Sequence, residues 1–436
     1  MGYAVTDPLQ RGIHTMTTAG KSDLDRSVIA DFHQLSHFGA TSGGGVDRQA
    51  ATAEDAAQRA WLAEWLVDRG FRVECDRVGN QFGLLEIHPD APYVLTGSHL
   101  DSQPLGGRYD GAYGVLASAH AAHRIAQKWR AGDIAPKYNL AVVNWFNEEG
   151  CRFKPSMMGS SVFTGKLDVE RALSTTDRDG VSVADALSGI GCLGSGAGPR
   201  AAAFAEIHIE QGRNLENDGI TIGVVDSTWA AQKYELVIHG DQSHTGSTTM
   251  PDRQDALLGA SLLVVAAREL AEEFSDAPLH TSVSQMTIEP NSPVVIAREV
   301  RMNLDVRSPN ESVVDLANKR LMARFAEIET RARVRIEKAT AHSWGVAGYQ
   351  PEGVKLSMSA ADDLGLTYRQ IMTVAGHDSV NLKDVVPTVM LFVPSVDGIS
   401  HNEHEFTTDE DVCAGVDLLT EVVGRLAVGE LDQQRR

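Results

Sequence analysis

Five short segments of this 436-residue chain carry residues that bind divalent cations: Gly97-Ser98-His99-Leu100-Asp101, Gly107-Arg108-Tyr109-Asp110-Gly111, Asn147-Glu148-Glu149-Gly150, His208-Ile209-Glu210-Gln211-Gly212 and Ser400-His401-Asn402-Glu403-His404-Glu405. Neutral imidazole and carboxylate oxygen together suit zinc, manganese or another first-row dication. Divided between two ions, such donors make a hydrolytic centre in which water is activated and a carbonyl polarised. The pattern predicts a metallohydrolase.

Each segment has its own local logic. His99 is one residue from Asp101, so in an extended strand both side chains lie on one face. The Asp101 carboxylate is then expected to accept the second ring N–H of His99 and fix its tautomer. Asp110 lies in a glycine-flanked turn, where its side chain can serve a cation or the turn's own backbone. Glu148 and Glu149 are adjacent after an apolar run, where two unneutralised carboxylates would be costly to bury. A nearby dication removes that cost, and adjacent residues point different ways, so one can bind metal while the other faces the attacking water. His208 lies in an apolar run and His401 follows another at 389–393. Either alone reads more readily as a hydrogen-bonded core histidine than as a ligand; recurrence at five strand ends favours ligation.

These side chains need a scaffold. Residues 71–73, 83–87, 93–96, 140–146, 204–209 and 389–393 read as strands, and 53–69 and 114–129 as amphipathic helices. That alternation predicts an α/β fold with helices on the faces of a sheet, and ligands on such sheets sit beyond the carboxyl ends of the strands. From about residue 223 the pattern changes: alternating runs at 233–239, 283–288, 300–306 and 334–337 surround two helical stretches, 255–274 and 312–330. The expected division is a catalytic domain in two parts, 1–222 and 340–436, interrupted by an α+β unit over 223–339. The glycine-rich stretch 189–198 reads as a surface loop.

Hydrophobic residues make up 42% of the chain and charged residues 22%, enough apolar material for sizeable cores. With 59 acidic residues against 39 basic ones, a net charge of −20 and no Lys/Arg block, neither nucleic acid nor an anionic membrane is an expected partner. No apolar run reaches the roughly 18–20 residues of a spanning helix, and no basic-then-apolar leader opens the chain, so a cytoplasmic protein is expected. Met1, Gly2 and Thr6 match the short myristoylation pattern only loosely. Cys75, Cys151, Cys192 and Cys413 form no CxxC pair and read as reduced, mostly buried residues.

The segments GSHLDSQPLGGRYDGAYGV, NWFNEEGCRF, HIEQG, HTGSTTMPDRQDAL, AGHD and GISHNEHE, in this order from about residue 39 to the C-terminus, resemble the peptidase M20 superfamily, specifically its hydantoinase/carbamoylase amidases. That branch includes N-carbamoyl-L-amino-acid hydrolases, β-ureidopropionases, allantoate amidohydrolases and ureidoglycolate amidohydrolases. The resemblance implies a two-domain metallohydrolase with a central mixed sheet, flanking helices and an inserted α+β dimerisation and lid domain. It implies His99, Asp110, Glu149, His208 and His401 as ligands of two zinc or manganese ions, cobalt and nickel being the other candidates, with Asp110 bridging. Glu148 would be the general base, and Asp101 the partner of His99. Gln211, Gly376 and His377 would line the substrate site, Arg307 would hold a substrate carboxylate, and His244 would reach the partner subunit's active site of a homodimer and stabilise the oxyanion. The implied reaction is hydrolysis of the C–N bond of an N-carbamoyl L-amino acid or related small carboxylate. Allantoate or ureidoglycolate hydrolysis and an M20-type dipeptidase or N-acyl-amino-acid hydrolase are the alternatives; an intact Glu148 opposes a non-catalytic binding protein.

Relatives commonly read Pro-Asn-Ser-x-Asn-Val-Val-Pro-Gly where this chain has Pro290-Asn291-Ser292-Pro293-Val294-Val295-Ile296-Ala297-Arg298. The resemblance implies that the second asparagine touches substrate, so with Val294 one polar contact is expected to be missing unless a nearby group supplies it. The usual Ser-Gly-Ala-Gly-His-Asp loop is Thr373-Val374-Ala375-Gly376-His377-Asp378, and Ser247 and Thr249 stand where the His-Thr-Gly segment customarily has prolines. The metal residues are intact, and a less polar or differently shaped substrate is expected.

Overall fold

The computed structural model describes residues 18–275 and 277–433; Met1, Gly2 and Thr6 lie outside them. In chain order the strands are β1 (Arg72–Cys75), β2 (Gln81–Leu85), β3 (Tyr93–His99), β4 (Asn139–Trp145), β5 (Ala201–Ile209), β6 (Ile222–Thr228), β7 (Ala230–His239), β8 (Ser243–His244), β9 (His280–Glu289), β10 (Val295–Ile296), β11 (Glu299–Ser308), β12 (Arg335–Trp344), β13 (Tyr368–Thr373) and β14 (Thr388–Val393). The first three helices are α1 (Thr18–Leu35), α2 (Ala53–Val67) and α3 (Ala112–Ala131).

Eight strands form a mixed sheet in the order β1-β2-β4-β3-β5-β14-β6-β13. Its centre is parallel: β3 pairs with β4 and β5, and β5 with β14, all in the same direction, whereas β1, β2 and β6 join antiparallel. Strands β4 and β14 are buried along their whole length, which is why they read as unbroken apolar runs rather than alternating ones. The parallel core gives four carboxyl ends side by side. His99 ends β3, Glu148 and Glu149 follow β4, His208 lies one residue before the end of β5, and His401 follows β14.

Helix α3 begins and ends on glycine. At its C-terminus Gly132 takes the left-handed conformation (φ 83°, ψ 10°) that lets its N–H reach back to the last carbonyls. At its N-terminus Gly111 has φ 62° and ψ −47°, and the Ala112 N–H bonds the Asp110 carbonyl at 2.6 Å, closing a three-residue γ-turn of a hand that is strained for other residues. A Cβ on Gly111 would lie 2.3 Å from the His99 ring, whereas one on Gly132 would meet nothing within 4 Å.

The chain divides into two compact units. The first comprises Met1–Val224, Glu352–Arg369 and His377–Arg436, the second Val225–Pro351 and Gln370–Gly376. A boundary at 339 would fall inside β12, which stays paired to β7 as far as Trp344 opposite Ala231, so residues 340–351 go with the insert. The second unit is a four-stranded antiparallel sheet, β12-β7-β11-β9, with helices Ala256–Glu272 and Glu311–Ala332 packed on it. Alternate residues of β11, Val300, Met302, Leu304 and Val306, meet Leu263, Leu270, Leu321 and Phe325 of the helices in one core. Asp255 and Asn310 cap the two helices by accepting amide hydrogens of the first turns.

The four cysteines differ from expectation: all are half-buried rather than buried, and Cys75 and Cys192 line one cavity. Among the described residues no helix is long and apolar enough to cross a membrane.

Candidate metal centre and its surroundings

Asp110 is the centre of the arrangement. Its Oδ1 lies 3.0 Å from His208 Nε2 and 3.5 Å from His99 Nε2; its Oδ2 lies 3.1 Å from His401 Nε2. His401 Nε2 is in turn 3.6 Å from Glu149 Oε2. Two donor sets result, His99–Asp110–His208 and Asp110–Glu149–His401, each with its atoms within 4.8 Å of one another and both using Asp110. All but His401 are largely buried; the His401 side chain is half exposed, which opens this end of the site to solvent.

The γ-turn at Gly111 aims Asp110. The Gly111 N–H donates to His208 Nε2 at 3.0 Å, and the Asp110 and Tyr109 amides donate to Glu405 Oε1 at 3.0 and 2.9 Å. Behind the rings, His99 Nδ1 lies 2.9 Å from the Asp101 carbonyl and His208 Nδ1 2.9 Å from the Ile209 carbonyl. A ring nitrogen facing a carbonyl must carry the proton, which leaves each Nε2 lone pair directed at the Asp110 side. This corrects the expectation for Asp101. Its carboxylate is 3.8 Å from His99 Nδ1 and instead accepts the backbone amides of Glu148 and Glu149 at 3.2 and 3.3 Å. Because β3 ends at His99, the same-face rule of an extended strand does not reach Asp101.

Three imidazole nitrogens facing carboxylate oxygens require either protons or a cation between them. With protons alone, burial opposes charging the rings, but it is outweighed: Glu148 and Asp110 hold His99 well above the usual histidine range, Asp110 raises His208, and Asp110 with Glu149 brings His401 up to about 9. Glu149 is pushed up to about 7, first by burial and then by the Asp110 charge. A buried mixture of nitrogen and carboxylate oxygen, pre-oriented by second hydrogen bonds, fits divalent cations.

Glu148 belongs to neither donor set. Its Oε2 lies 3.6 Å from His99 Nε2, and burial followed by the charges of Asp378, Glu149 and Asp101 pushes it well above the ordinary carboxylate range against the pull of His99. It is set there by Asn147, whose left-handed backbone (φ 52°) turns the chain at the end of β4 while its amide nitrogen bonds the Phe153 and Pro155 carbonyls. Gln211 (φ 59°) and His401 (φ 52°) share that rarely populated conformation, and such strain concentrates at functional sites.

The remaining expected residues divide. Gln211 donates its amide to Asp110 Oδ2 at 2.8 Å and to Ser400 Oγ at 3.0 Å, so it braces the acid at the centre. The His377 ring is buried against His208, with centroids 4.6 Å apart, and against Phe392. In the second unit, His244 is exposed and its Nδ1 accepts the Gly246 and Ser247 amides at 2.9 and 3.2 Å, leaving the proton on Nε2. Arg307 makes two bonds of 2.8 Å to Asp305 and one of 2.7 Å to the Val374 carbonyl, in the same segment as Gly376. The Val294 side chain is exposed.

Sequence reasoning missed Glu405 and Gln103. Besides its two amide bonds, Glu405 accepts the Ser400 hydroxyl at 2.9 Å, tying the His401 loop to the Asp110 turn. Gln103 holds both Glu149 oxygens, at 3.2 and 2.9 Å. The acidic run Glu403-His404-Glu405 was the available signal for the first; nothing marked the second.

The sequence profile of peptidase family M20/M25/M40 matches residues 95–425, which span every residue of both donor sets. The chain belongs to this family. The M20 chain is 59% identical over 414 residues to a Mycolicibacterium smegmatis protein named in general terms as a hydrolase, covering 94% of each. It is 34% identical over 393 residues to an N-carbamoyl-L-amino-acid amidohydrolase of Rhizobium meliloti (89% of this chain, 93% of the relative) and 31% over 416 residues to an allantoate amidohydrolase of Bacillus subtilis (93% and 99%). Among solved structures, an amidase of the hydantoinase/carbamoylase family from Burkholderia vietnamiensis superposes with a TM-score of 0.86 at 36% identity, covering 93% of this chain and 97% of the other. The M20 chain is therefore a hydrolase of C–N bonds with a mixed α/β fold.

Proposed function

We propose that the protein is a two-metal amidohydrolase acting on the N-carbamoyl group of a small L-amino acid or related carboxylate. The observation that carries this reading is Asp110, shared between two donor sets, with Glu148 beside them and in neither. His99 and His208 would hold one divalent ion, Glu149 and His401 the other, with Asp110 common to both. Such a pair of ions, when bound, makes water acidic near neutral pH and polarises the scissile carbonyl.

The chain's own residues supply the rest. Glu148, made more basic by its surroundings, takes the proton from the attacking water and delivers it to the leaving nitrogen, a contribution of about 10²- to 10⁴-fold. Asp101 holds the amides of both glutamates and so fixes which one faces the water. In the same reading the inserted unit is a dimerisation and lid domain, His244 offers its Nε2–H to the developing oxyanion of the partner subunit, and Arg307 binds the substrate carboxylate with Gly376 and His377 nearby in sequence. The relatives' names support the ureido class, and Val294 in place of an asparagine favours substrates with fewer polar arms than allantoate.

The test is to load the protein with zinc or manganese and offer N-carbamoyl-L-amino acids, β-ureidopropionate, allantoate, ureidoglycolate, dipeptides and N-acyl-amino acids, with products identified by mass spectrometry. Cleavage of an N-carbamoyl amino acid is expected. Cleavage of allantoate or ureidoglycolate alone would move the assignment to those substrates, and cleavage of acyl or peptide bonds alone would overturn the ureido reading.

A further inference from the structure

We propose that Cys75 and Cys192 form a peroxide-sensitive dithiol that converts reversibly to a disulfide, a modification site apart from the metal centre. Far apart in sequence, the two thiols are brought together by the edge of the large sheet. Cys75 ends β1, the outermost strand. The loop after helix Val183–Gly189 runs along that edge: the Gly194 N–H bonds the Asp76 carbonyl at 3.0 Å, and the Arg77 N–H bonds the Gly196 carbonyl at 3.0 Å. Gly194 makes the approach possible, since a Cβ there would sit 1.8 Å from the Cys75 carbonyl oxygen. Cys192 is anchored by its own amide, which bonds the Leu187 carbonyl at 2.9 Å.

The two thiols line one open cavity of about 380 Å³ with Arg59 and Gln81, and both are half-buried, so a small oxidant can reach them. Arg59 is buried, paired to Asp55 at 2.9 Å, and bonded to the Gly79 carbonyl. The neighbouring Cys75 thiol and the Arg59 charge hold the Cys192 thiol below the usual range, and the Cys192 thiol and burial push Cys75 up. Cys192 is then the nucleophile and Cys75 the resolving thiol. By contrast, Cys151 and Cys413 each face a single backbone carbonyl, and burial pushes both up, Cys413 to about 12.

The chemistry balances with hydrogen peroxide as oxidant. The Cys192 thiolate attacks one peroxide oxygen and the O–O bond breaks, giving a sulfenic acid and hydroxide, which takes up the thiol proton as water. The Cys75 sulfur then attacks the sulfenic sulfur, the S–S bond forms, and a second water leaves. A dithiol reductant reverses the change. The disulfide would tie the sheet edge to the segment that leads into β5, the strand carrying His208.

The test uses the intact, metal-loaded protein. After peroxide treatment and unfolding, the thiol titre should fall from four to two and return to four with dithiothreitol, and non-reduced peptide mapping should show the Cys75–Cys192 cross-link. Cys75→Ser should leave a dimedone-reactive sulfenic acid at Cys192, while Cys192→Ser should give none at Cys75. An unchanged titre at peroxide levels that oxidise free cysteine, a cross-link through Cys151 or Cys413, or a link between chains would overturn the proposal.

Discussion

The two glycines that bound α3 allow the geometry of the centre to be tested against a built-in control. Both have positive φ: alanine at the left-handed Gly132 carries a backbone penalty of about 1–2 kcal/mol, and at the γ-turn of Gly111 at least as much. At Gly132 nothing else is met. At Gly111 the new methyl would fall 2.3 Å from Cε1, 2.4 Å from Nε2 and 2.5 Å from Cδ2 of the buried His99 ring. Forcing that ring aside adds an overpacking cost of about 1–3 kcal/mol. Gly111→Ala should therefore lose at least about 2–5 kcal/mol in urea unfolding of chelator-treated protein, against about 1–2 kcal/mol for Gly132→Ala. Metal affinity, read by competition with a chromogenic chelator, should drop by about 10- to 100-fold in the first variant, as when an orienting partner of a ligand is lost, and stay unchanged in the second. Equal metal affinity in the two variants would refute the claim that Gly111 exists to make room for His99. Equal stability losses would mean that the backbone conformation, and not the ring contact, sets the cost.

Glu148→Gln should keep its metal content, since Glu148 is in neither donor set, yet lose about 10²- to 10⁴-fold in kcat, which metal analysis and turnover on the same sample check. Glu405→Ala leaves the Tyr109 and Asp110 amides without their acceptor at about 1–3 kcal/mol each, and both thermal stability and metal affinity should fall, with Glu405→Gln retaining most of each. In chelator-treated protein, burial resists charging at His401, but the bond to Asp110 raises it from 6.5 to about 9, and burial lifts Glu149 from 4.5 to about 7. Groups raised by folding stabilise below their unfolded pKa and lose that contribution as pH rises through the folded value. Unfolding temperature should thus decline from about pH 4.5 to 9, and a divalent ion should flatten the decline. For the same reason, metal uptake at neutral pH should release protons measurable in weakly buffered solution.

The parts of this centre that were legible in the sequence are those whose chemistry is local. His99, Glu148, Glu149, His208 and His401 each follow or end an apolar run, so residue type and strand period together announce them. Asp110 had two readings, turn residue and ligand, and the geometry joins them: the turn at Gly111 is what points its carboxylate. What was illegible depends on distant segments meeting. Glu405 works because its loop returns to the Asp110 turn, and Cys192 because a loop lies on an edge strand; neither has a periodic signature. Strand β13 escaped notice because it is half-exposed and polar, and β12 was cut short at 337 because it is exposed on most positions and carries little apolar alternation. Asp101 misled because the strand rule was extended two residues past the strand's end.

The placement of His401 in the loop after the last strand of the chain has a consequence for maturation. His99, Asp110 and His208 all precede residue 224, so the first donor set can assemble as soon as β3, α3 and β5 have been synthesised and paired. The second waits for β14 to emerge from the ribosome, after the whole inserted unit, and dock in parallel against β5. On the two-metal reading proposed above, a nascent or C-terminally truncated chain would hold one ion, and the second would act as a seal set only after β14 and the His401 loop have docked.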